Sequence, residues 1–283
     1  MQERMFLGNV EVLAVFDMWQ SPRLPTDFYP EVPIEEWEPY REKHLNADGY
    51  LELPYCLFAL RSEGKIIMAD TGNGPGPHAR NLDRTGHLLE ALAAQGIGPE
   101  DVDMVVHTHL HGDHVGWNLT YDDKGRPRPT FPKAKYIVPR VDWEYHTQPD
   151  ILAVPRNAHL RDQVVPLEEL GILELIESDH TITPEISTIA TPGHTPGHVC
   201  IVINSQGEKG AIVGDVIHIS AQVEQPHWCV AADIDKSESR RSRTALLDRA
   251  EQEGSVIVAG HFALDEHFGR VVRREGRRYW QVI

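Results

Sequence analysis

The run His109-Leu110-His111-Gly112-Asp113-His114 constrains this chain more than any other feature. Four metal-capable side chains within six residues cannot all reach one ion from a helix face. On a loop leaving a strand they can fan out around two ions, His109 and His111 around one, Asp113 and His114 around the other. The preceding Val102-Asp103-Met104-Val105-Val106 is apolar and valine-rich and reads as a buried strand. The ligands therefore fall at a strand end, where α/β scaffolds carry their chemistry.

Three later segments repeat the arrangement. Ile186-Ser187-Thr188-Ile189-Ala190 reads as a strand, and Thr191-Pro192-Gly193-His194-Thr195-Pro196-Gly197-His198 follows it, with Pro and Gly fixing a tight turn that presents His194. Ala211-Ile212-Val213-Gly214-Asp215 ends in a carboxylate, and Val256-Ile257-Val258-Ala259-Gly260-His261 ends in a histidine. A lone histidine at a strand end is more often a turn or capping residue, and an Asp after Gly a turn former. The argument for a site is that several strand ends offer ligands together. His107 alternates with His109 and reads as a packing or supporting residue. His78, His87, His146, His159, His180 and His267 have no metal spacing and read as surface or loop residues.

On these residues the chain resembles the metallo-β-lactamase-fold hydrolase superfamily, from about Asp70 to the C-terminus. The resemblance implies an α/β fold, a four-layer αβ/βα sandwich with a binuclear metal site at one edge of the two sheets. It also implies that His109, His111 and His194 hold one ion, that Asp113, His114 and His261 hold the other, and that Asp215 bridges both. Histidine and aspartate ligands suit zinc, with manganese, iron or cobalt as alternatives. Asp70, in an Asp70-Thr71-Gly72 turn that matches the family's, would support the metal loop without ligating, and His198 would also act from behind the ligands. Two close divalent ions lower the pKa of water between them, which makes the expected activity a hydrolysis by bridging hydroxide, with Asp113 also engaging the attacking water.

The substrate is less constrained. In quorum-signal lactonases a Tyr lies three residues after the bridging Asp; here that position is His218, either a donor to a developing oxyanion or a packing residue. The pattern Asp215-x-x-His218, Gln222, Pro226-His227-Trp228 and Asp233-Ile234-Asp235 is more similar to the methyl parathion hydrolase branch. The expected activity is cleavage of an uncharged ester or lactone, with phosphotriester cleavage as a side activity. Trp117, directly after the ligands, is expected to line the substrate pocket, and Trp143 and His146 to approach from the next helix. Alternatives are a glyoxalase-II-like thioesterase, a β-lactamase and a mononuclear iron persulfide dioxygenase. The thioesterase is disfavoured because no basic cluster stands ready for glutathione carboxylates; Arg270, Arg273, Arg274, Arg277 and Arg278 read as the solvated face of a terminal hairpin. No Gly-x-Ser-x-Gly, phosphate loop or dinucleotide fingerprint competes.

The formal net charge of −16 argues against nucleic acid or an anionic membrane as partner. No apolar run approaches the ~20 residues that span a bilayer. No export signal is recognised, so a cytoplasmic location is expected. Three widely spaced cysteines do not form a disulfide frame. No linker divides residues 1–283, which read as one domain. Expected elements include a first strand Val10–Phe16, a hairpin turning at Ser62-Glu63-Gly64, and helices over Leu88–Gln95, from Arg140, and over Ser242–Glu253. Residues 20–54 hold six prolines among aromatics. This excursion is a lid, a homodimer contact, or a surface loop packed by its own aromatics, with a short helix possible after Pro33.

Overall fold

The computed structural model describes residues 3–283, and its backbone is dominated by two seven-stranded sheets. In the first, β1 (Arg4–Leu7), β2 (Val10–Trp19), β3 (Pro54–Ser62) and β4 (Lys65–Ala69) pair antiparallel in that order. β5 (Met104–Val106) joins β4 in parallel. After a separate ribbon of β6 (Leu119–Tyr121) and β7 (Pro127–Pro129), the sheet continues in parallel with β8 (Lys135–Pro139) and β9 (Leu173–Ile176). The second sheet runs in chain order through β10 (Thr181–Thr183), β11 (Ile186–Ala190), β12 (Val199–Ser205), β13 (Glu208–Ile212), β14 (Val256–Val258), β15 (Phe268–Arg274) and β16 (Arg277–Val282). Only the β13–β14 pairing in it is parallel.

Strands covered on both faces read as continuous apolar runs, and β2 shows why. Val12 and Ala14 join the core between the sheets, with Phe58 and Leu60 of β3, Ile201 and Ile203 of β12, and Val256 and Val258 of β14. Leu13 and Val15, one residue out of phase, join a second core under the helix Leu88–Ala94. The helix Lys236–Glu253 covers the outer face of the second sheet through Leu246, Leu247 and Ala250. The result is the expected αβ/βα order of layers. Burying a side chain such as Phe58 or Phe268 contributes about 1.5–3 kcal/mol, so the central core is the main source of stability.

Local chemistry sets the element boundaries. The β3–β4 hairpin turns at Glu63 and Gly64, with φ of 52° and 75°, the left-handed pair whose twist matches the flanking strands. The long helix starts at Lys236, not Ser242. Its first turns are polar and carry no apolar period, but Asp235 caps them, accepting from the Glu238 N–H at 2.9 Å. A short strand, β1, precedes the expected first one. All three cysteines are free and buried. Among the described residues no helix is long and apolar enough to cross a membrane.

The proline-rich excursion is ordered by its aromatics. Ile34–Tyr40 forms a 3-10 helix and Arg41–His44 a single α-turn. Tyr29, Trp37 and Tyr40 surround Trp228, with ring centroids 5.9, 4.8 and 5.3 Å away. Leu51, Leu53 and Ile219 complete this satellite core. On the terminal hairpin, Arg273 and Arg278 are drawn to Glu251 of the long helix at 2.9 and 3.0 Å, so that face is partly ion-paired.

Candidate metal centre

The edge of the sandwich brings together all seven residues expected to ligate. His109 and His111 leave β5 on a loop, and the turn Gly112–Val115 carries Asp113 and His114. His194 comes from the β11–β12 connection, Asp215 from the turn after β13, and His261 from the loop after β14. Two groups could each hold an ion, His109, His111, His194 and Asp215, and Asp113, His114, Asp215 and His261, with ligand atoms in each group within 4.8 Å of one another.

Neighbours fix which ring nitrogens are free. Thr108 Oγ1 donates to Asp70 at 2.7 Å, so it accepts from His109 Nδ1 at 3.0 Å. His194 Nδ1 donates to Asp233 and His114 Nδ1 to Asp70, both at 2.8 Å. His261 Nδ1 donates to the Pro54 carbonyl at 3.1 Å. With a neutral ring, each leaves a bare Nε2 lone pair pointing inward. Those of His114 and His261 lie 3.1 and 3.0 Å from Asp215 Oδ1. Those of His194 and His109 lie 3.1 and 3.8 Å from Oδ2. His111 Nδ1 sits 3.1 Å from the His109 nitrogen and 2.9 Å from that of His194. Lone pairs facing lone pairs repel unless positive charge stands between them, so this donor set fits a pair of divalent cations sharing Asp215.

The electrostatics of the donor set agree. Burial and the neighbouring histidines hold His109 and His111 well below the usual histidine range. Against the same burial, Asp215 holds His261 up, holds His194 at about 9, and with Asp70 holds His114 well up. Protons collect where the cations would stand. Asp215, though buried, is kept well below the carboxylate range by the histidines around it.

Supporting residues fall into two kinds. Asp70 and His198 were legible in the sequence. Asp70, with φ of 63°, accepts from the Thr108 N–H at 2.8 Å as well as from His114. His198 Nε2 accepts the Asp215 N–H at 3.0 Å while its Nδ1 donates to Thr191 Oγ1 at 2.8 Å; burial pushes it down to about 4, which keeps that acceptor free. His107 lies behind, 3.4 Å from Asp70. Asp142 and Asp233 have roles that the sequence reading did not assign. Fully buried Asp142 accepts from the Leu110 N–H at 2.9 Å and from the Gly197 N–H at 3.0 Å, clamping the two ligand loops together. A Cβ on Gly197 would fall 2.1 Å from the Asp142 backbone nitrogen, so only glycine permits this approach. Asp233 accepts from Ser239 Oγ at 3.0 Å as well as from His194, and sits at about 2 because, although it is buried, His194 and Arg243 favour its anion.

The centre forms the floor of a cavity of about 540 Å³. Phe28 and Leu53 of the excursion and Tyr55 of β3 contribute to its lining, as do Tyr145, His146, Ile151 and His159 from the helical segment after β8. His159 is thus a cavity residue, not the surface or loop residue expected; of the two side chains expected to approach from the next helix, His146 does so and Trp143 packs instead against Leu110 and Val138. His218 stacks on His261, centroids 5.3 Å apart, and its Nε2 lies 3.1 Å from Asp215 Oδ2. Trp117 is placed elsewhere. Its indole is buried in the core under the first sheet's helix, 3.4 Å from Asp17, and does not line the cavity. Gly116 turns the chain away directly after the ligands: its N–H is held by Gly72 O at 2.7 Å.

Comparison with known proteins agrees with this geometry. Residues 56–261 match the model of the metallo-β-lactamase superfamily. The chain is 30% identical over 235 residues to the N-acyl homoserine lactonase AttM of Rhizobium radiobacter, covering 74% of this chain and 82% of that one. It is 24% identical over 245 residues to an N-acyl homoserine lactonase of Bacillus thuringiensis, covering 80% and 88%. Among solved structures, the hydrolase AbOPH superposes with a TM-score of 0.85 at 22% identity, covering 99% of this chain and 96% of that one. AidC, a dizinc quorum-quenching lactonase, superposes at 0.81 with 21% identity and the same coverage. The chain belongs to the metallo-β-lactamase superfamily and is a metal-dependent hydrolase.

Proposed function

We propose that this chain hydrolyses a lactone or a carboxylic ester at a centre of two divalent ions, most naturally zinc. The observation that carries the reading is the placement of bare imidazole nitrogens against each oxygen of Asp215, at the floor of a partly apolar cavity. Two ions held by these residues would supply Lewis acidity for the acyl carbonyl and would acidify water.

The chain's own groups do the rest. Asp113 is the least buried carboxylate of the two groups and reaches the cavity, where it accepts a hydrogen bond from the attacking water. His218 donates from Nε2 to Asp215 and fixes the carboxylate plane. Phe28, Leu53 and Ile151 exclude water from the apolar part of the substrate. The relatives AttM and the Bacillus enzyme are named as lactonases, which favours a lactone over an open ester. A phosphotriester would fit the same chemistry as a side substrate. The reading includes one domain, action in the cytoplasm and a homodimer.

Elemental analysis of protein purified without added metal, with turnover of aryl esters, γ- and δ-lactones and an acyl-homoserine lactone, tests this. About two ions per chain with acyl hydrolysis is the expected result. One iron per chain without hydrolysis would move the assignment to oxygenase chemistry.

A further inference from the structure

The cavity mouth carries positive charge in a strongly acidic protein. Arg23, Arg80 and Arg156 line the cavity, each from a different segment. Arg23 lies on the excursion, tied to Leu51 by two backbone hydrogen bonds of 2.8 and 2.9 Å. Arg80 sits in the turn Ala79–Asn81, fastened to the excursion by Ser21, whose Oγ donates to the Arg80 carbonyl at 2.9 Å. Arg156 sits in the turn Pro155–Asn157, in the helical segment after β8.

Their partners are more informative than their number. The chain has 43 acidic and 27 basic residues, so carboxylates are abundant. Other arginines find them: Arg84 pairs with Glu52 at 2.8 Å and Arg61 with Glu11 at 3.0 Å. Among the described residues, the guanidinium groups of Arg23, Arg80 and Arg156 make no ion pair and no hydrogen bond within the chain. The carboxylates that line the cavity with them, Asp113, Asp215 and Asp233, belong to the metal groups or to their support. Three unpaired guanidiniums around one opening focus a positive potential there and favour oxyanions that accept from guanidinium N–H groups.

We infer that the substrate carries an anionic group, a carboxylate or a phosphate, remote from the bond that is cleaved, and that Arg23, Arg80 and Arg156 bind it at the cavity mouth. The inference rests on the acyl-hydrolase reading for the bond cleaved, and on the arginines alone for the charge. It also corrects the expectation that no basic cluster is available. The terminal hairpin is not the cluster; residues far apart in sequence are.

The test uses metal-replete enzyme and a series of aryl esters of equal length ending in a carboxylate, a phosphate or a methyl ester. The ratio of kcat/KM for a charged tail over the neutral tail should be about tenfold, as expected for a few solvent-exposed contacts, and should fall at high salt. The larger of the two charged ratios identifies the anion. The triple variant Arg23→Gln, Arg80→Gln, Arg156→Gln should bring the ratio close to one. A matched triple at Arg41, Arg274 and Arg277, also unpaired but outside this cavity, should leave it in place. A wild-type ratio of one or less, or a ratio equal in the two triples, overturns the inference. If no ester or lactone is hydrolysed, the acyl-hydrolase reading fails, and calorimetry with glutarate and with a short alkyl phosphate decides the rest. Binding by the wild type that the first triple loses upholds the anion site; equal or absent binding removes it.

Discussion

Asp215 is the residue on which both ligand groups depend, because its two oxygens face different sets of imidazoles. Asp215→Asn keeps the volume and removes the charge, so bound metal should fall well below the wild-type content and hydrolysis by several orders of magnitude. Near-normal turnover would refute the shared-carboxylate site. His218→Phe retains a ring to stack on His261 but removes the donor to Asp215. It should lower kcat with metal content close to wild type, and unchanged kcat would reduce His218 to packing. Asp142 touches no proposed ligand side chain, yet Asp142→Ala frees the backbones of Leu110 and Gly197, and zinc affinity should fall about 10–100-fold in a competition titration with a chelator. The residues that gather in the two groups were readable in the sequence because their type and local spacing carry the signal. Asp142 and Asp233 were not, since a carboxylate bonded to a distant loop looks like any other. Trp117 shows the converse error: adjacency to a ligand along the chain does not place a side chain in the same cavity when a close backbone contact turns it away.

At the level of elements, the excursion matters through Trp228. Trp228→Ala should cost about 3–5 kcal/mol in a urea titration, because it empties the centre of the satellite core. Through Phe28 and Leu53 it should also lower kcat/KM while metal content holds. A variant with wild-type kinetics would show that this wall does not shape the cavity. Strands buried on both faces were legible as apolar runs, and so was the hairpin at Glu63-Gly64. The first turns of the Lys236–Glu253 helix were not, for the residues they bury, Ser239 and Arg243, are polar, and the cap at Asp235 was their one local sign. The three arginines at the cavity mouth were invisible for a related reason. Each lies in a short irregular segment, and only the closed sandwich brings those segments to one opening.

The whole molecule should lose stability in mild acid before its carboxylates titrate. Burial pushes His44 and His267 down to about 4 from an ordinary value of 6.5. The unfolded chain binds these protons between the two values and the folded chain does not. Stability fully present above pH 6.5 is therefore lost progressively as pH falls toward 4. Urea midpoints across that window should slope. His267→Asn keeps a donor for the Ala259 carbonyl and removes the titrating ring, so its slope should be shallower. Equal slopes would assign the acid sensitivity to other groups.

The two ligand groups share one further property. Each combines side chains from the first sheet's loops, His109 and His111 or Asp113 and His114, with one from beyond residue 190, His194 or His261, and both need Asp215. A nascent polypeptide that has left the ribosome only as far as β9 has no complete set for either ion. The first set is complete only once translation has passed Asp215 and the second only once it has passed His261, so loading of the proposed pair of ions would be a late event in biosynthesis, and an abortive product that stops short of His261 would lack one of the two sets.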